Sequence, residues 1–290
     1  MPNFLVTGAE GQLGKCFQAV TKEFPKHELI FTNREAVDIT KLGTLQRFYK
    51  THSFEGIINC AAYTQVDGAE NEIYKAKQIN TNGLQNLTSF AEEKGLFIIH
   101  FSTDYVFNGT TSFPYKEDDK PNPINIYGQS KYEGEQILKI SNCLNTTIRI
   151  SWLFSPFGKN FVKTILRLSK TKDNIKVVND QYGRPTYGID LARTVLSNIS
   201  KLDFFDFNLY HYAMQGSTTW FDFATKIIAI KKRTCQIKSC STAEYPTLAK
   251  RPKHSILDTK LIENQLSLNI PSWEDSLKRC LKRIDNNEKI

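Results

Sequence analysis

Tyr127-Gly128-Gln129-Ser130-Lys131 sets a phenol four residues before an amine. On a helix, positions i and i+4 share a face, so Lys131 lies one turn from Tyr127. An ammonium there favours phenolate and lowers the tyrosine pKa from about 10. A drop of about 3 units, needed for acid–base work near neutrality, represents about 4 kcal/mol. The spacing alone is common by chance. A second stretch, Phe101-Ser102-Thr103-Asp104-Tyr105, closes an apolar run. Thr103 can donate a hydrogen bond to a substrate carbonyl and help place the phenol, with Ser102 beside it as the alternative hydroxyl. These residues, Tyr127 and Lys131 are expected to converge on one carbonyl oxygen.

Gly8-Ala9-Glu10-Gly11-Gln12-Leu13-Gly14 follows an apolar run and opens a helical pattern. Its spacing is G-x-x-G-x-x-G. Glycines let the backbone turn tightly and approach a pyrophosphate, whose charge meets free N–H groups and the positive helix end. The competing reading is a glycine-rich turn. Where a second strand should end near an adenine ribose stands Thr32-Asn33-Arg34, with no carboxylate. Arginine suits a 2′-phosphate, so NADP(H) is expected over NAD(H), unless Arg34 only solvates a loop. Asp38 and Ile39 could flank the adenine. Asn59-Cys60-Ala61-Ala62-Tyr63-Thr64 offers small residues past which a nucleotide can run, or tight helix–strand packing.

Short apolar runs carry these motifs. Phe4-Leu5-Val6, Leu29-Ile30-Phe31, Ile57-Ile58, Phe97-Ile98-Ile99 and Thr147-Ile148-Arg149-Ile150 read as strands. Helical patterns lie between them, near 12–24, 41–50, 71–94 and 126–141. Runs apolar on both faces, alternating with helices, imply an α/β fold with a doubly wound parallel sheet and ligands at the strands' carboxyl ends. After residue 150 helices are expected near 160–172, 189–200, 219–231 and 273–285. Phe207 to His211 reads as a strand that returns to the first sheet. The expected organisation is a dinucleotide-binding domain over 1–152, with that returning strand, and a smaller interleaved substrate domain over 153–290. Residues Asn286 to Ile290 are expected to fray.

The chain has 290 residues, 40% hydrophobic and 23% charged, with a net charge of +8. That composition excludes a disordered or collagen-like chain. No apolar run approaches the roughly 20 residues of a membrane span. The first residues lack a basic n-region and an A-x-A site, which argues against a secretory signal. The positive balance favours anionic partners. A diphosphate-bearing small molecule fits; no zinc-finger spacing, RNP motif or recognition helix points to nucleic acid. Six cysteines without a C-x-x-C read as reduced thiols of a cytoplasmic protein. His100 and His211, on apolar strands, read as structural.

With these motifs in place, the sequence resembles the extended short-chain dehydrogenase/reductase family, over nearly the whole chain. The resemblance is carried by Gly8 to Gly14, Asn59 to Asp67, Ser102 to Phe107, Tyr127 to Lys131, Arg149 to Trp152, Val178 to Thr186, and Arg251-Pro252. The most specific stretch is Asn179-Asp180-Gln181-Tyr182-Gly183-Arg184-Pro185-Thr186, which points to the branch that reduces 4-keto sugars of dTDP. The resemblance implies a Rossmann fold with a smaller carboxy-terminal substrate domain. It implies NADPH-dependent reduction of dTDP-4-dehydro-β-L-rhamnose to dTDP-β-L-rhamnose.

By the same resemblance Tyr127 is the proton donor, Lys131 its pKa modulator and ribose ligand, and Thr103 tunes the tyrosine–substrate bond. Cofactor contacts fall on Gly11, Gln12, Leu13, Asn33, Asp38, Ile39, Ala62, Tyr63, Thr64, Phe101, Tyr127 and Lys131. They join the glycines 8 and 14 and Arg34 read above. Thr103, Asp104 and Trp152 would contact the sugar nucleotide. Lys163, Arg184, Arg251 and Lys253 are candidate cations for its diphosphate, each with a plain alternative as structural or surface charge. Some family members dimerise through Mg²⁺ held by glutamates. Lys15 and Cys16 stand where one such glutamate would sit, which argues against that bridge and leaves a monomer or homodimer.

Rival readings share the fold. A 4,6-dehydratase usually carries Thr-Asp-Glu where this chain has Thr103-Asp104-Tyr105, so its glutamate is missing. An epimerase is not favoured by the Asn179–Thr186 stretch. Another dTDP-4-keto-6-deoxy sugar is an alternative substrate. A non-catalytic NADP-binding regulatory subunit is the alternative from a different class.

Overall fold

The structure is a computed structural model, and it describes residues 2–287. Five strands fall where the apolar runs predict them: β1 (Asn3–Thr7), β2 (Glu28–Phe31), β3 (Gly56–Asn59), β4 (Phe97–Thr103) and β5 (Asn145–Ile150). A sixth, Leu209–Tyr212, pairs in parallel with β5 and so returns to the first sheet as the sequence suggests. The order is Leu209–Tyr212, β5, β4, β3, β1, β2, and the pairs are parallel throughout. The order in which successive strands are added reverses at β1, whose neighbours are β2 and β3. Ligands of open α/β sheets lie at the strand carboxyl ends at such a switch point.

Alternation along each strand feeds two cores. Val6, Ile58, Ile99 and Ile148 face one side, packed with Phe17 of helix α1 (Gln12–Val20). Leu5, Ile57 and Ile98 face the other, against Leu45 of α2 (Leu42–Tyr49) and Leu84 and Leu87 further along the chain. Each such side chain contributes about 1.5–3 kcal/mol by leaving water. That burial on both faces is why the strands read as continuous apolar runs.

The helix predicted over 71–94 starts earlier, near residue 66, and is broken into four pieces. These are α3 (Val66–Asn71), α4 (Ile73–Lys77), a π-helical turn Gln78–Asn82 and α5 (Gly83–Lys94). The wide turn points Asn80 inward, where its amide holds the Tyr63 backbone and Ser130. The helix α6 (Ile126–Lys139) follows as expected.

Beyond residue 150 come α7 (Phe161–Leu168), α8 (Gly188–Asn198) and α9 (Trp220–Ile230). The strands Asn174–Val178 and Gln236–Cys240, absent from the sequence reading, pair in parallel. Buried residues of α8, such as Ile189 and Val195, share the core of β1 and α1, so carboxy-terminal segments interleave with the main sheet. The last helix runs Trp273–Asn287. It covers the first two residues expected to fray, and residues 288–290 lie outside the described part. All six cysteines are free. Among the described residues, no helix is long and apolar enough to cross a membrane.

Candidate active site

The glycine loop sits at the carboxyl end of β1. Gly8 has φ +62°, and a Cβ there would stand 2.7 Å from the Ala61 backbone. Only glycine lets β1 turn this close to the loop after β3. Gly11 leads into α1, whose first N–H groups are open to an anion. Beside it lies a cleft of about 230 Å³ whose walls include Gly8, Arg34, Asp38, Ile39, Ala62 and Ile79. Val37 adds an apolar surface. This narrow slot of small and apolar residues, ending at a cation, fits the adenosine half of a phosphorylated dinucleotide.

The other predicted cofactor residues divide by what they touch. Arg34 is exposed and pairs with Asp38 at 3.2 Å. Asp38 also accepts from the Thr40 backbone and hydroxyl, which with Arg34 outweigh its burial and hold its carboxyl below the usual range. The Asn33 carbonyl caps the turn at Glu35 and Ala36. Gln12 donates its side-chain amide to Leu153 O at 3.1 Å, so it offers a ligand mainly its backbone. Leu13 and Gly14 are buried under the loop, and Thr64 is exposed. Tyr63 donates its hydroxyl to Glu72 at 2.7 Å, and that bond pushes its pKa up to about 12. Phe101 presents its backbone carbonyl, while its ring packs near Phe17.

Thr103 is the last residue of β4, and the chain turns sharply after it. Its hydroxyl donates to Asp104 Oδ1 at 3.2 Å and accepts from Tyr105 N–H. Strand alternation sends Ser102 and Thr103 to opposite faces, and Thr103 is the one whose hydroxyl is bonded within the turn. Helix α6 carries the phenol and amine. Asn125 caps it, accepting from Gly128 N–H at 2.7 Å, and Glu70 of α3 accepts the Ile126 N–H. A Cβ on Gly128 would lie 2.1 Å from Tyr105 O, so glycine lets α6 press against the turn that carries Thr103. Thr103 lies close enough to Tyr127 to lower its pKa, so strand end and helix meet at these two hydroxyls.

The electrostatics correct one expectation. Lys131 does not lower the tyrosine pKa here. Burial pushes Tyr127 up to about 12, and the nearby Thr103 hydroxyl only partly offsets this. The reason is where the amine goes: Lys131 Nζ donates to Phe101 O at 2.7 Å and meets His100 Nε2 at 3.0 Å. Lys131 is itself 2% exposed, and burial brings it down to about 7 despite the nearby Glu135. Asp104 moves the other way: burial raises its carboxyl to about 7, against bonds from Ser255 and Thr103.

Arg184 is corrected as a diphosphate ligand. Its guanidinium donates to Met214 O, Leu257 O and Gln215 Oε1, all within 2.9 Å, and these contacts occupy all three nitrogens. Arg251 grips both oxygens of Asp67 at 2.7 and 3.0 Å, which limits its reach for a ligand. Lys163 lies in the first turn of α7, on a separate cavity of about 560 Å³ that touches none of Thr103, Tyr127 or Lys131. Lys253 is exposed. Trp152 has φ +48°, a region that bulky residues rarely adopt. It is held there by stacking on Trp220, ring centres 3.6 Å apart, and by Gly183, which leaves room for the indole.

Sequence reasoning passed over Asn80 and Trp220 and read His100 as structural. Asn80 ties the Tyr63 backbone to Ser130, whose hydroxyl donates in turn to Tyr127 O. No residue pattern announces a π turn, so nothing in the sequence pointed to it. His100 touches Lys131 directly rather than merely filling a strand. Trp220 completes the indole pair, and an apolar helix start hid it. His211 is structural as read, bonded to Tyr115 O and Arg149. Among the described residues no cluster of His, Cys, Asp and Glu could hold a metal ion.

A parallel sheet with a glycine loop at its switch point, and a Thr–Tyr–Lys group beside it, defines an oxidoreductase of the extended short-chain dehydrogenase/reductase type. The chain belongs to the RmlD substrate binding domain family, whose model matches residues 2–286. It is 37% identical over 287 residues to a dTDP-4-dehydrorhamnose reductase of Aggregatibacter actinomycetemcomitans, covering 96% of this chain and 98% of that one. A crystal structure of a dTDP-4-dehydrorhamnose reductase from Clostridium acetobutylicum superposes with TM-score 0.92 at 37% identity, covering 98% and 99% of the two chains. One from Bacillus anthracis, in complex with NADP, gives TM-score 0.91 at 37% identity and the same coverage.

Proposed function

We propose that this protein is an NADPH-dependent reductase that converts dTDP-4-dehydro-β-L-rhamnose to dTDP-β-L-rhamnose. The observation that carries the reading is the meeting of Thr103, Tyr127 and Lys131 at the strand ends beside the glycine loop. The near full-length likeness to reductases of this name, one of them an NADP complex, supports the substrate and cofactor. Residues 1–152 with the strand Leu209–Tyr212 form the dinucleotide part in this reading, and 153–290 the substrate part. The working location is the cytoplasm, as monomer or homodimer.

When bound, the reduced dinucleotide supplies hydride to C4 of the sugar. The glycine loop and the start of α1 would hold its pyrophosphate through backbone N–H groups. Arg34 would hold the 2′-phosphate, and Asp38 and Ile39 would flank the adenine. Thr103 donates a hydrogen bond to the C4 carbonyl oxygen and fixes the phenol beside it. As the C4=O pair moves onto oxygen, Tyr127 gives that oxygen its hydroxyl proton and solvent later restores it. Lys131, when charged, stabilises the phenolate left behind. Trp152 lines the sugar pocket. Arg184 is committed to its Met214, Leu257 and Gln215 acceptors, and the exposed Lys253 stays as a candidate for the diphosphate.

The test is NADPH oxidation dependent on dTDP-4-dehydro-β-L-rhamnose, with the product's configuration read by NMR. Formation of dTDP-β-L-rhamnose supports the assignment. Tight NADPH binding with no turnover on any dTDP-4-keto sugar supports a regulatory subunit instead.

A further inference from the structure

Behind Lys131 runs a line of buried polar groups that the mechanism does not use. Thr7, Asn59, His100 and Lys131 are each 2% exposed or less. Thr7 Oγ1 donates to Asn59 Oδ1 at 2.7 Å. Asn59 Nδ2 meets His100 Nδ1 at 3.1 Å. His100 Nε2 meets Lys131 Nζ at 3.0 Å.

The protons along this line can be assigned from the fixed end. Ala61 N–H points at Asn59 Oδ1, 3.2 Å away. A backbone N–H is always a donor, so the Asn59 atom facing it is the oxygen. The amide nitrogen therefore faces His100, and His100 Nδ1 must accept. A neutral imidazole with an accepting Nδ1 carries its proton on Nε2. That N–H is aimed at Lys131 Nζ. Two donors at 3.0 Å repel, whereas an amine lone pair accepts the bond. A charged Lys131 has no lone pair.

We propose that Thr7, Asn59 and His100 form a buried hydrogen-bond chain that fixes the His100 proton on Nε2 and so holds Lys131 as an uncharged amine in the free protein. His100 is then a positioning residue. It decides when Lys131 becomes charged: the amine gains its proton once Nζ leaves His100, as when a ribose hydroxyl draws it outward. The inference uses the proposed reductase role of Lys131 only for that consequence, because the proton assignment concerns the free chain.

The surrounding charges agree. On α6, Glu135 lies one turn beyond Lys131, and Arg149 of β5 grips it at 2.9 and 2.7 Å. Tyr127 on the same helix stays protonated. Asp104 and Tyr105 lie in the turn after β4 and carry raised pKa values. Lys77 of α4 pairs with Glu133, and Glu70 of α3 caps Ile126. Cys60 follows β3 with its thiol pushed well up. The π turn packs neutral Asn80 against α6. Burial lowers His100 well below its usual value, as it does Lys131.

The experiment labels the full chain with ¹⁵N-histidine and reads the ring shifts between about pH 6 and 9. The protein has five histidines, and His100→Gln identifies the His100 signals by their loss. The expected result is a neutral ring with a protonated Nε2 and a bare Nδ1. Asn59→Asp reverses it, because a carboxylate only accepts and must take Nδ1–H. In that variant Nε2 accepts from a charged Lys131. The changed tautomer in the ring shifts is the discriminating readout, whereas a merely structural role lowers Tm and leaves the tautomer in place. An Nδ1–H tautomer or an imidazolium in the wild type overturns the proposal, as does Asn59→Asp with an unchanged tautomer. If Asn59→Asp does not fold, the wild-type shifts alone decide. Absence of turnover would defeat the reductase reading while leaving the histidine result intact.

Discussion

Lys131 Nζ donates to the Phe101 carbonyl oxygen at 2.7 Å, which ties helix α6 to the end of β4 before any ligand arrives. The amine needed beside the phenol is thus anchored to the strand that carries Thr103. This contact makes the site a product of one sheet edge and one helix. Tyr127 stays a weak acid in the free chain because it is buried.

Tyr127→Phe removes the proton donor and little else, since the ring keeps its edge contact with Tyr105. The expected loss in kcat is about 10²–10⁴-fold, the range for general acid catalysis. NADPH affinity should change by only about two- to threefold. Steady-state kinetics with fluorescence titration of NADPH check both numbers. Turnover near wild type would remove Tyr127 from the acid role.

Arg34 is exposed and paired with Asp38, so it contributes little to stability. Arg34→Ala should raise the KM for NADPH by about tenfold, the loss of one charge-assisted bond to phosphate. NADH kinetics should stay within about twofold. Equal effects on both cofactors would place the 2′-phosphate elsewhere.

Arg184→Lys separates a structural from a binding role. Lysine cannot reproduce three contacts in fixed directions, so thermal denaturation should show a fall in Tm of several degrees, on the order of 1–3 kcal/mol. If the variant instead kept its Tm and lost only affinity for the dTDP-sugar, Arg184 would be a substrate ligand after all.

Asp104 gives a pH signature. Its carboxyl titrates at about 7 in the folded chain, against a usual 3.8. The folded state therefore holds the proton more tightly than the unfolded state. Relative to Asp104→Asn, the wild type should lose stability as pH rises from about 4 to 7 and level off above. Between pH 5 and 8 the difference should grow by about 2–3 kcal/mol. Chemical denaturation of both proteins across that range measures it; a flat or opposite trend would contradict a raised carboxyl.

The sequence exposed the parts of this fold whose signal is local. Ile57-Ile58 and Phe97-Ile98-Ile99 are apolar on both faces because helices cover both sides of the sheet, and that pattern survives in one dimension. The Tyr127–Lys131 spacing likewise encodes one turn of one helix. Contacts made over long separations were hidden. Arg184 sits in a motif that suggested phosphate binding, yet its three acceptors come from residues 214, 215 and 257. His100 looked like strand filler because its partners lie 41 and 31 residues away. The π turn at Asn80 escaped because periodicity continues across it with only one residue of slip.

Transfer of deuterium from 4-deuterated NADPH to the sugar tests the central claim most directly. NMR of the product should show the label at C4 of a dTDP-linked 6-deoxyhexose, with transfer lost to about 1% or less in Tyr127→Phe under the same conditions. A protein that binds the labelled dinucleotide and the keto sugar but leaves C4 unlabelled would contradict it.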